Sequence, residues 1–218
     1  MTRGWFITLE GIEGSGKTTQ AAILADSISA LGNRVTLTRE PGGTRAGESI
    51  RAICLDSGVA LAATAELLLL LADRAQHVRE KIGPALKAGQ IVISDRYSDS
   101  TLAYQGYGRG LDLDLIRQLN RLASDGVAPD LTIVLDCSAE TGLERTRTRA
   151  AGAARPRDRF ESEQLEFHRR VRDGFRAIAR NEPSRVVLLD SARERDDVSA
   201  AVWALARERI PRGVLKEG

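Results

Sequence analysis

The segment Gly11–Thr18 constrains this chain more than any other feature. It reads Gly-Ile-Glu-Gly-Ser-Gly-Lys-Thr and lies between the apolar run Trp5–Glu10 and a segment of helical period. In this setting, the pattern Gly-x-x-x-x-Gly-Lys-Ser/Thr is typical of a loop that wraps a phosphate chain between a strand and a helix. Glycines let the backbone aim N–H groups at phosphate oxygens, and the helix N-terminus adds positive potential. We therefore predict a nucleotide phosphate site here.

Individual residues at this loop have distinct expected roles. Lys17 should reach the β- and γ-phosphates of ATP, and the Thr18 hydroxyl should complete the shell of a Mg²⁺ ion. Asp95 ends a second apolar run and is the expected carboxylate on the Mg²⁺ side, with a turn or cap role as its alternative. Glu13 would repel phosphate, so it either faces solvent or contacts another ligand. The residues expected to bind the ATP phosphates are Gly11, Ile12, Glu13, Gly14, Ser15, Gly16, Lys17, Thr18 and Thr19.

Short apolar runs alternate with longer segments of helical period, which indicates an α/β fold with a parallel sheet covered on both faces. Strands are expected at Trp5–Glu10, Arg34–Thr38, Gln90–Asp95, Leu131–Asp136 and Arg185–Asp190. Helices are expected from Ala21 to Leu31, Glu66 to Leu86, Asp114 to Ala123, Ser138 to Arg149, Ser162 to Asn181 and Val198 to Ile210, with Ser138 and Ser162 as N-caps. We expect a single domain over residues 1–218, because neither a linker nor a repeat divides the chain.

The charge balance and the apolar segments narrow the class of protein. The chain has 32 basic and 30 acidic side chains, a net charge of +2 with neutral histidines. A non-specific nucleic-acid binder would concentrate far more positive charge. Cys54 and Cys137 lie in apolar segments, so a reducing cytoplasm is expected rather than a disulfide framework. The run Leu67–Ala72 is too short to span a bilayer, and the start of the chain lacks a signal-type segment. We therefore expect neither nucleic acid nor a membrane as a partner.

A basic cluster occurs in the second half of the chain. Six arginines fall within fifteen positions, at Arg145, Arg147, Arg149, Arg155, Arg157 and Arg159. Residues 150–157 combine small side chains with arginines, which is typical of a mobile flap. An ordinary solvated surface is the alternative for any single arginine.

A phosphate loop does not identify a reaction, so the acceptor must be sought in other clusters. Two polar segments follow predicted strands and should open at the carboxyl edge of the sheet. Residues 38–44 read Thr-Arg-Glu-Pro-Gly-Gly-Thr, and residues 95–106 contain Asp-Arg-Tyr and Ala-Tyr-Gln-Gly. A nucleotide switch or binding module is disfavoured for two reasons. These two clusters would have no function in such a protein, and the Asn-Lys-x-Asp guanine motif is absent from the sequence.

Together these motifs resemble those of the thymidylate kinase family in its bacterial form. The resemblance rests on the phosphate loop, Arg39 to Thr44, Asp73-Arg74-Ala75-Gln76-His77, Asp95-Arg96-Tyr97, Tyr104-Gln105 and Asp158-Arg159-Phe160-Glu161. It implies a P-loop nucleoside-monophosphate-kinase fold with a five-stranded parallel sheet, a mobile lid at about residues 149–160, and a homodimer. The implied reaction is Mg²⁺-dependent, in-line phosphoryl transfer from ATP to dTMP, which gives ADP and dTDP.

The resemblance also implies roles for individual residues. Arg39 and Arg96 would hold the acceptor phosphate, Arg74 would hydrogen-bond to the thymine edge, and Glu13 would approach the 3′-hydroxyl of the acceptor. The ring of Tyr104 would stand where a 2′-hydroxyl would project. The residues expected to bind the acceptor are Glu13, Arg39, Leu70, Arg74, Arg96, Thr101, Tyr104 and Gln105. Those expected to act in catalysis are Lys17, Arg96, Arg155 and Arg157, the last two as lid arginines that contact the transferring phosphoryl group.

Leu70 departs from the family pattern, which has a stacking phenylalanine at this position. Leucine forfeits aromatic stacking worth about 1–3 kcal/mol, so another pyrimidine monophosphate stays open as the acceptor. A deoxynucleoside kinase is a further alternative, in which Glu40 would be the base that a hydroxyl acceptor needs. Arg39 argues against it, because a cation there suits a phosphate already present. His77 and His168 receive no catalytic role, since a monophosphate is largely dianionic near neutral pH.

Overall fold

The computed structural model describes residues 3–152 and 158–216. Its five strands form one all-parallel sheet in the order β2-β3-β1-β4-β5. The strands are β1 Phe6–Glu10, β2 Val35–Arg39, β3 Ile91–Asp95, β4 Leu131–Asp136 and β5 Val186–Asp190. Each strand boundary lies within one residue of its prediction, so the α/β class and the five-stranded parallel sheet are confirmed.

Helices connect the strands and flank the sheet. They are α1 Lys17–Ala30, α2 Arg45–Leu55, α3 Ala63–His77, α4 Gly83–Lys87, α5 Ser98–Thr101, α6 Leu113–Ala123, α7 Ala139–Gly152, α8 Leu165–Asn181 and α9 Arg195–Arg209. A π-helical segment, Val78–Ile82, joins α3 to α4, and another, Leu102–Gly108, continues α5. None of the described helices is both long enough and apolar enough to cross a lipid bilayer.

The central strands are buried from both sides, which explains their apolar sequences. All five residues of β1 are buried. On one face of the sheet, Ile7 and Ile133 belong to a core shared with Leu24 of α1 and Val202 of α9. On the other face, Val134 of β4 belongs to a core shared with α8. A strand covered on both faces reads as a continuous apolar run, because neither face meets water.

Two helical segments lie where the sequence predicted only loops. α2 begins after Thr44, whose hydroxyl accepts a hydrogen bond from the backbone N–H of Gly47 at 3.0 Å. The second segment, residues 98–108, follows β3 and carries three of the predicted acceptor residues, Thr101, Tyr104 and Gln105, on a helix rather than on a loop. Gly47 in α2, and Gly106 and Gly108 in the π-helical segment, weaken the helical pattern in the sequence because glycine disfavours helix interiors.

Several predicted helix boundaries need correction. α3 begins at Ala63, three residues before the predicted Glu66. Ser138 is confirmed as the cap of α7, since its Oγ accepts a hydrogen bond from the N–H of Thr141 at 3.1 Å. Ser162 is not a cap, because α8 begins at Leu165 and the Ser162 hydroxyl donates instead to a carbonyl in the preceding turn. α7 continues to Gly152, so the first residues of the predicted flap are helical.

Strand register brings the ends of three strands together. Asp95, the last residue of β3, is the Cα partner of Leu9 in β1 and of Arg39 in β2. The glycine-rich loop leaves β1 just beyond this point. Polar groups from three separate segments therefore meet at the carboxyl edge of the sheet, where open parallel sheets bind ligands.

The glycine-rich loop also contacts the first turns of α7 through two facing glycines. Gly14 has a φ of +72°, and a Cβ at this position would overlap the carbonyl oxygen of Gly142. A Cβ on Gly142 would in turn overlap the carbonyl oxygen of Glu13. The two backbones touch without side chains between them, so a side chain at either glycine would push the loop off the helix.

Candidate active site

A cavity of about 610 Å³ opens at the carboxyl edge of the sheet. The predicted site residues on its wall are Glu13, Gly14, Gly16, Lys17, Thr18, Thr19, Arg39, Leu70, Arg74, Asp95, Arg96, Thr101, Tyr104 and Gln105. Gly11, Ile12 and Ser15 are buried within the loop and do not line the cavity. Arg155 and Arg157 lie outside the described residues. The cavity thus brings the phosphate-loop residues and the predicted acceptor residues into one space.

The glycine-rich loop presents a helix N-terminus to this cavity. Gly16, which precedes α1, has a φ of +98°, and no described side chain caps the helix. The first backbone N–H groups of an uncapped helix have no intrahelical partner and are available to an anion. The local geometry therefore fits a phosphate group.

Lys17 is the cation of this loop, and it is held back against the backbone. Its ammonium donates to the carbonyl oxygen of Ile12 at 2.7 Å and to Ser15 Oγ at 3.3 Å. Burial, followed by the nearby charge of Arg96, lowers the pKa of Lys17 to about 8. A bound phosphate would favour the charged form and raise that pKa again.

Thr18 and Asp95 form the predicted metal-side pair. The hydroxyl of Thr18 donates to Asp95 Oδ2 at 2.5 Å. Hydroxyl and carboxylate oxygens suit Mg²⁺, which usually takes few protein ligands and completes its shell with phosphate oxygens and water. Among the described residues, no group of three or more His, Cys, Asp or Glu side chains is placed to hold a metal ion. The pair therefore fits an ion that arrives with a nucleotide and does not fit an all-protein metal cage.

Glu13 faces the acceptor side of the cavity, so the idea that it is a solvated loop residue is wrong. Its carboxylate accepts hydrogen bonds from Arg96 Nη2 at 2.8 Å and from the Tyr104 hydroxyl at 2.7 Å. His168 Nδ1 lies 3.3 Å from Glu13 Oε2. Burial by itself would raise the pKa of Glu13, but the charge of Arg96, with His168 and Lys17, holds it far below its ordinary value. Glu13 is therefore ionised.

Arg96 connects the glycine-rich loop to the helical segment after β3. Its backbone φ is +74°, a left-handed conformation that is uncommon outside glycine. Nη1 donates to the Gly11 carbonyl oxygen at 2.9 Å and to Ser100 Oγ at 3.1 Å. The guanidinium carbon lies 4.8 Å from the centroid of the Tyr104 ring. One side chain thus fixes the distance between the two halves of the cavity.

Arg74 occupies the opposite end of the cavity and is almost completely buried. Its Nε donates to Glu40 Oε2 at 2.9 Å and its Nη1 to Asn120 Oδ1 at 2.5 Å, while Nη2 forms an ion pair with Glu40 Oε2 at 2.8 Å. A guanidinium has five N–H groups, so two remain for a ligand. The other oxygen of Glu40 lies 3.0 Å from His77 Nδ1. Both oxygens of Glu40 are therefore engaged, which argues against its acting as the base of a deoxynucleoside kinase.

Three further predicted residues line the same end. Leu70 is half-buried, whereas Thr101 and Gln105 are buried. Gln105 Nε2 donates to Glu66 Oε1 at 2.6 Å. Gln105 Oε1 is buried and has no hydrogen-bond partner among the described residues. A buried carbonyl oxygen in this state is a natural acceptor for a ligand N–H group, because leaving it unpaired costs free energy.

Arg39 lies at the rim of the cavity. It pairs with Glu48 at 3.0 Å, and both side chains are about half exposed, at 50% and 49%. An exposed ion pair of this kind contributes at most about 1 kcal/mol to stability. Arg39 can therefore leave Glu48 for a phosphate at little cost.

Sequence reasoning missed several residues of this cavity. Arg51 of α2 lines the wall and donates to the Pro41 carbonyl oxygen at 2.8 Å. Its helix was not predicted, so the sequence had no signal that would place it there. Arg149 is not among the predicted site residues, but it lines the wall and pairs with Glu161 at 2.8 Å. His168 reaches Glu13 only through the packing of α8, and this contact has no counterpart in the sequence pattern.

The pKa of Lys17 makes nucleotide affinity depend on pH. In the free protein the ammonium is charged below about pH 8 and loses its proton above it. We expect the dissociation constant for MgATP to stay nearly constant from pH 6.5 to 7.5, then to rise by up to about tenfold per pH unit above pH 8. Calorimetry without an acceptor measures this. In Lys17→Arg, the guanidinium does not deprotonate and the alkaline rise should disappear. Equal alkaline rises in both proteins would show that Lys17 is not the titrating group.

Proteins of one family match this chain along most of its length. The family model described as thymidylate kinase matches residues 9–202. Proteins named thymidylate kinase from Solidesulfovibrio magneticus and Deinococcus radiodurans are 54% and 49% identical to it. These matches cover 92% and 96% of this chain and 97% and 99% of the relatives. The crystal structure of thymidylate kinase from Ehrlichia chaffeensis has a TM-score of 0.76 at 39% identity, covering 94% of this chain and 99% of that one. With this agreement, and with the phosphate loop and acceptor clusters meeting in one cavity, the chain belongs to the thymidylate kinase family.

Proposed function

We propose that this protein transfers the γ-phosphoryl group of ATP to dTMP, giving ADP and dTDP, with Mg²⁺ as the metal ion. One observation carries the proposal. The cavity that contains the glycine-rich loop and Lys17 also contains Arg39, Arg74 and Arg96, which come from three other segments. A phosphate donor and a phosphorylated acceptor can therefore lie in the same space, and family membership supplies the identity of both.

On the donor side, the backbone N–H groups of the loop and of α1 would bind the β- and γ-phosphate oxygens. Lys17 would leave the Ile12 carbonyl and follow the transferring phosphoryl group. Mg²⁺, held by the Thr18 and Asp95 oxygens, would neutralise charge on the phosphate chain. Lid arginines would add charge from the opposite side. Arg155 and Arg157 are the predicted ones, and Arg149, which lines the cavity, is a third candidate.

On the acceptor side, Arg39 and Arg96 would hold the monophosphate in line with the γ-phosphate. The acceptor oxygen is already ionised near neutral pH, so the reaction does not need a general base. Positioning and charge neutralisation are then the main sources of rate. Glu13, turned toward Tyr104 and away from the phosphates, would face the sugar of the acceptor, where its ionised carboxylate can accept a hydrogen bond from the 3′-hydroxyl.

The base end of the cavity has hydrogen-bonding groups that suit thymine. The two remaining N–H groups of Arg74 are donors for a carbonyl oxygen on the base edge, and Gln105 Oε1 is an acceptor for a ring N–H. Thymine has O4 and N3–H on that edge, whereas cytosine has an amino group and a bare ring nitrogen. Leu70 would pack on the base face without aromatic stacking. The ring of Tyr104 packs against Phe160, Phe167 and Phe175, which would hold it rigidly where a 2′-hydroxyl would project.

We further propose that residues 1–218 form one kinase domain, that residues 149–160 act as its lid, and that the protein is cytoplasmic. Arg149 and Glu161, which pair at 2.8 Å, lie near the two ends of the lid segment and would form its hinge. Cys54 and Cys137 are both buried and free, which suits a reducing compartment.

A coupled ADP-release assay tests the proposed function. We expect the highest kcat/KM with dTMP, a value for dCMP lower by a factor on the order of 10² or more, and turnover with thymidine at background. The ratio of kcat/KM for dUMP to kcat/KM for dTMP measures how well Leu70 replaces the aromatic side chain. Efficient turnover of thymidine, or a preference for dCMP, would reject dTMP as the substrate.

Arg39 should affect the acceptor alone. We expect Arg39→Ala to raise the KM for dTMP by about 10-fold or more, because a charge-assisted hydrogen bond is worth about 1.5–3 kcal/mol, while the KM for ATP stays nearly constant. Glu48→Gln is the matched control, since it removes the resting partner of Arg39 and should leave the KM for dTMP unchanged or lower it. Equal increases in both KM values for Arg39→Ala would contradict this division of roles.

The homodimer implied by the family has a candidate surface on three neighbouring helices. α3 packs against both α2 and α6. Each presents at least one large apolar side chain to solvent: Ile53 of α2 is 44% exposed, Leu68 of α3 54%, and Leu115 and Leu122 of α6 50% and 79%. An apolar patch formed by such side chains on adjoining helices would be typical of a protein–protein contact. A second copy of this chain is the occupant that we propose.

Substitution within this patch tests the dimer. Leu68→Arg should shift the protein from twice the chain mass to the chain mass in sedimentation velocity, because an unpaired charge would be buried in the contact. Leu188→Arg is the control, since Leu188 is similarly exposed, at 40%, but lies on the edge strand β5. A wild-type protein that sediments as a monomer at micromolar concentration would reject the homodimer.

A further inference from the structure

A buried carboxylate lies behind the base end of the cavity. Glu66 is on α3, one helical turn before Leu70, and is completely buried. It contacts Gln105, which lines the cavity, but is not itself part of the wall. Glu66 takes no direct part in the proposed reaction, although burying a carboxylate is costly unless its charge is compensated.

Two arginines compensate the charge of Glu66. Its Oε2 accepts hydrogen bonds from Arg159 Nη1 at 2.5 Å and from Arg109 Nη2 at 3.1 Å. Burial by itself would raise the pKa of Glu66, but hydrogen bonds from Arg109 and Gln105, together with Arg159, bring it below its ordinary value. Glu66 is therefore ionised at neutral pH. An ionised carboxylate can only accept hydrogen bonds.

Because the Glu66 carboxylate can only accept hydrogen bonds, it determines which way the Gln105 side-chain amide points. Nε2 donates to Glu66 Oε1 at 2.6 Å. If the amide were reversed, its carbonyl oxygen would face the carboxylate, and two acceptors would be buried together without a proton between them. The orientation with the amide oxygen turned away from Glu66 is therefore strongly favoured. That oxygen has no other partner among the described residues.

We propose that Glu66 selects the pyrimidine by fixing the polarity of the Gln105 amide, so that the cavity offers a hydrogen-bond acceptor to the base. A base with a ring N–H, such as thymine, is accepted. A base with a bare ring nitrogen, such as cytosine, meets a second acceptor and is rejected. Glu66 does not touch the substrate and acts only through Gln105, so it is a positioning residue. The inference rests on the proposed function for the identity of the acceptor.

Glu66→Gln tests the inference, because a neutral amide can donate as well as accept and so lets Gln105 reverse. The probes are dTMP and 5-methyl-dCMP, which share the methyl group and differ in hydrogen bonding at N3 and at the substituent on C4. We expect the wild-type preference for dTMP to narrow by about tenfold or more, measured both as a ratio of dissociation constants and as a ratio of kcat/KM. Donation from Arg74 is unchanged, so part of the preference should remain.

Glu163→Gln is the matched control. Like Glu66, Glu163 pairs with Arg109; the Arg109–Glu163 distance is 2.5 Å, and the structure shows no hydrogen bond between Glu163 and Gln105. The preference of Glu163→Gln for dTMP over 5-methyl-dCMP should equal that of the wild-type protein. A general loss of stability in Glu66→Gln would lower activity on both substrates alike and leave the preference for dTMP over 5-methyl-dCMP unchanged. A folded Glu66→Gln protein with the wild-type ratio overturns the proposal.

Gln105→Leu is the second variant, in case Glu66→Gln shows no cooperative thermal transition. It removes the hydrogen-bond acceptor Oε1 without leaving an unpaired buried charge, and it should narrow the preference for dTMP over 5-methyl-dCMP. A wild-type ratio in this variant also overturns the proposal. Because dissociation constants are measured alongside turnover, a protein that prefers dTMP in binding but does not phosphorylate it would reject the proposed function and leave this inference standing.

Discussion

The ion pair between Arg96 and Glu13 is the contact on which the geometry of the site depends. The parallel register places Asp95 beside Leu9, and the left-handed backbone of Arg96 turns its side chain back toward the loop that leaves β1. Arg96 then binds a loop carbonyl and the Glu13 carboxylate at once. Without this arginine, Glu13 would be a buried charge beside phosphates, and the donor and acceptor halves of the cavity would have no common anchor.

Similar pairing recurs at the base end, where two buried carboxylates have arginine partners. Glu40 is paired with Arg74, and Glu66 with Arg109 and Arg159. Such pairs contribute little net stability compared with apolar residues of the same volume, but removing one partner costs about 3–5 kcal/mol. These ion pairs therefore fix side-chain orientation. Side chains that contact the ligand are held in one orientation, because any other orientation would leave a buried charge unpaired.

How much the sequence predicts differs between the scaffold and the site. The strands were predicted to within one residue because burial on both faces leaves continuous apolar runs. The loop from Gly11 was predicted because its glycines and Lys17 are close in sequence. α2 was missed because glycines within and before it hide its helical period. The roles of Glu66 and His168 could not be predicted, since their partners lie 39 and 155 residues away and meet them only through tertiary packing.

The contact between Gly14 and Gly142 has a mechanical consequence. From Gly142, α7 runs ten residues to its end at Gly152, which lies inside the predicted lid segment of residues 149–160. At about 1.5 Å per residue this is a rigid rod of about 15 Å, so a tilt of about 6° at the glycine contact moves its far end by ~1.5 Å. Because the two backbones are in direct contact there, with no side chain between them, a shift of the phosphate loop would change the tilt of α7. A small tilt of α7 at this contact would therefore displace its far end more than its first turn.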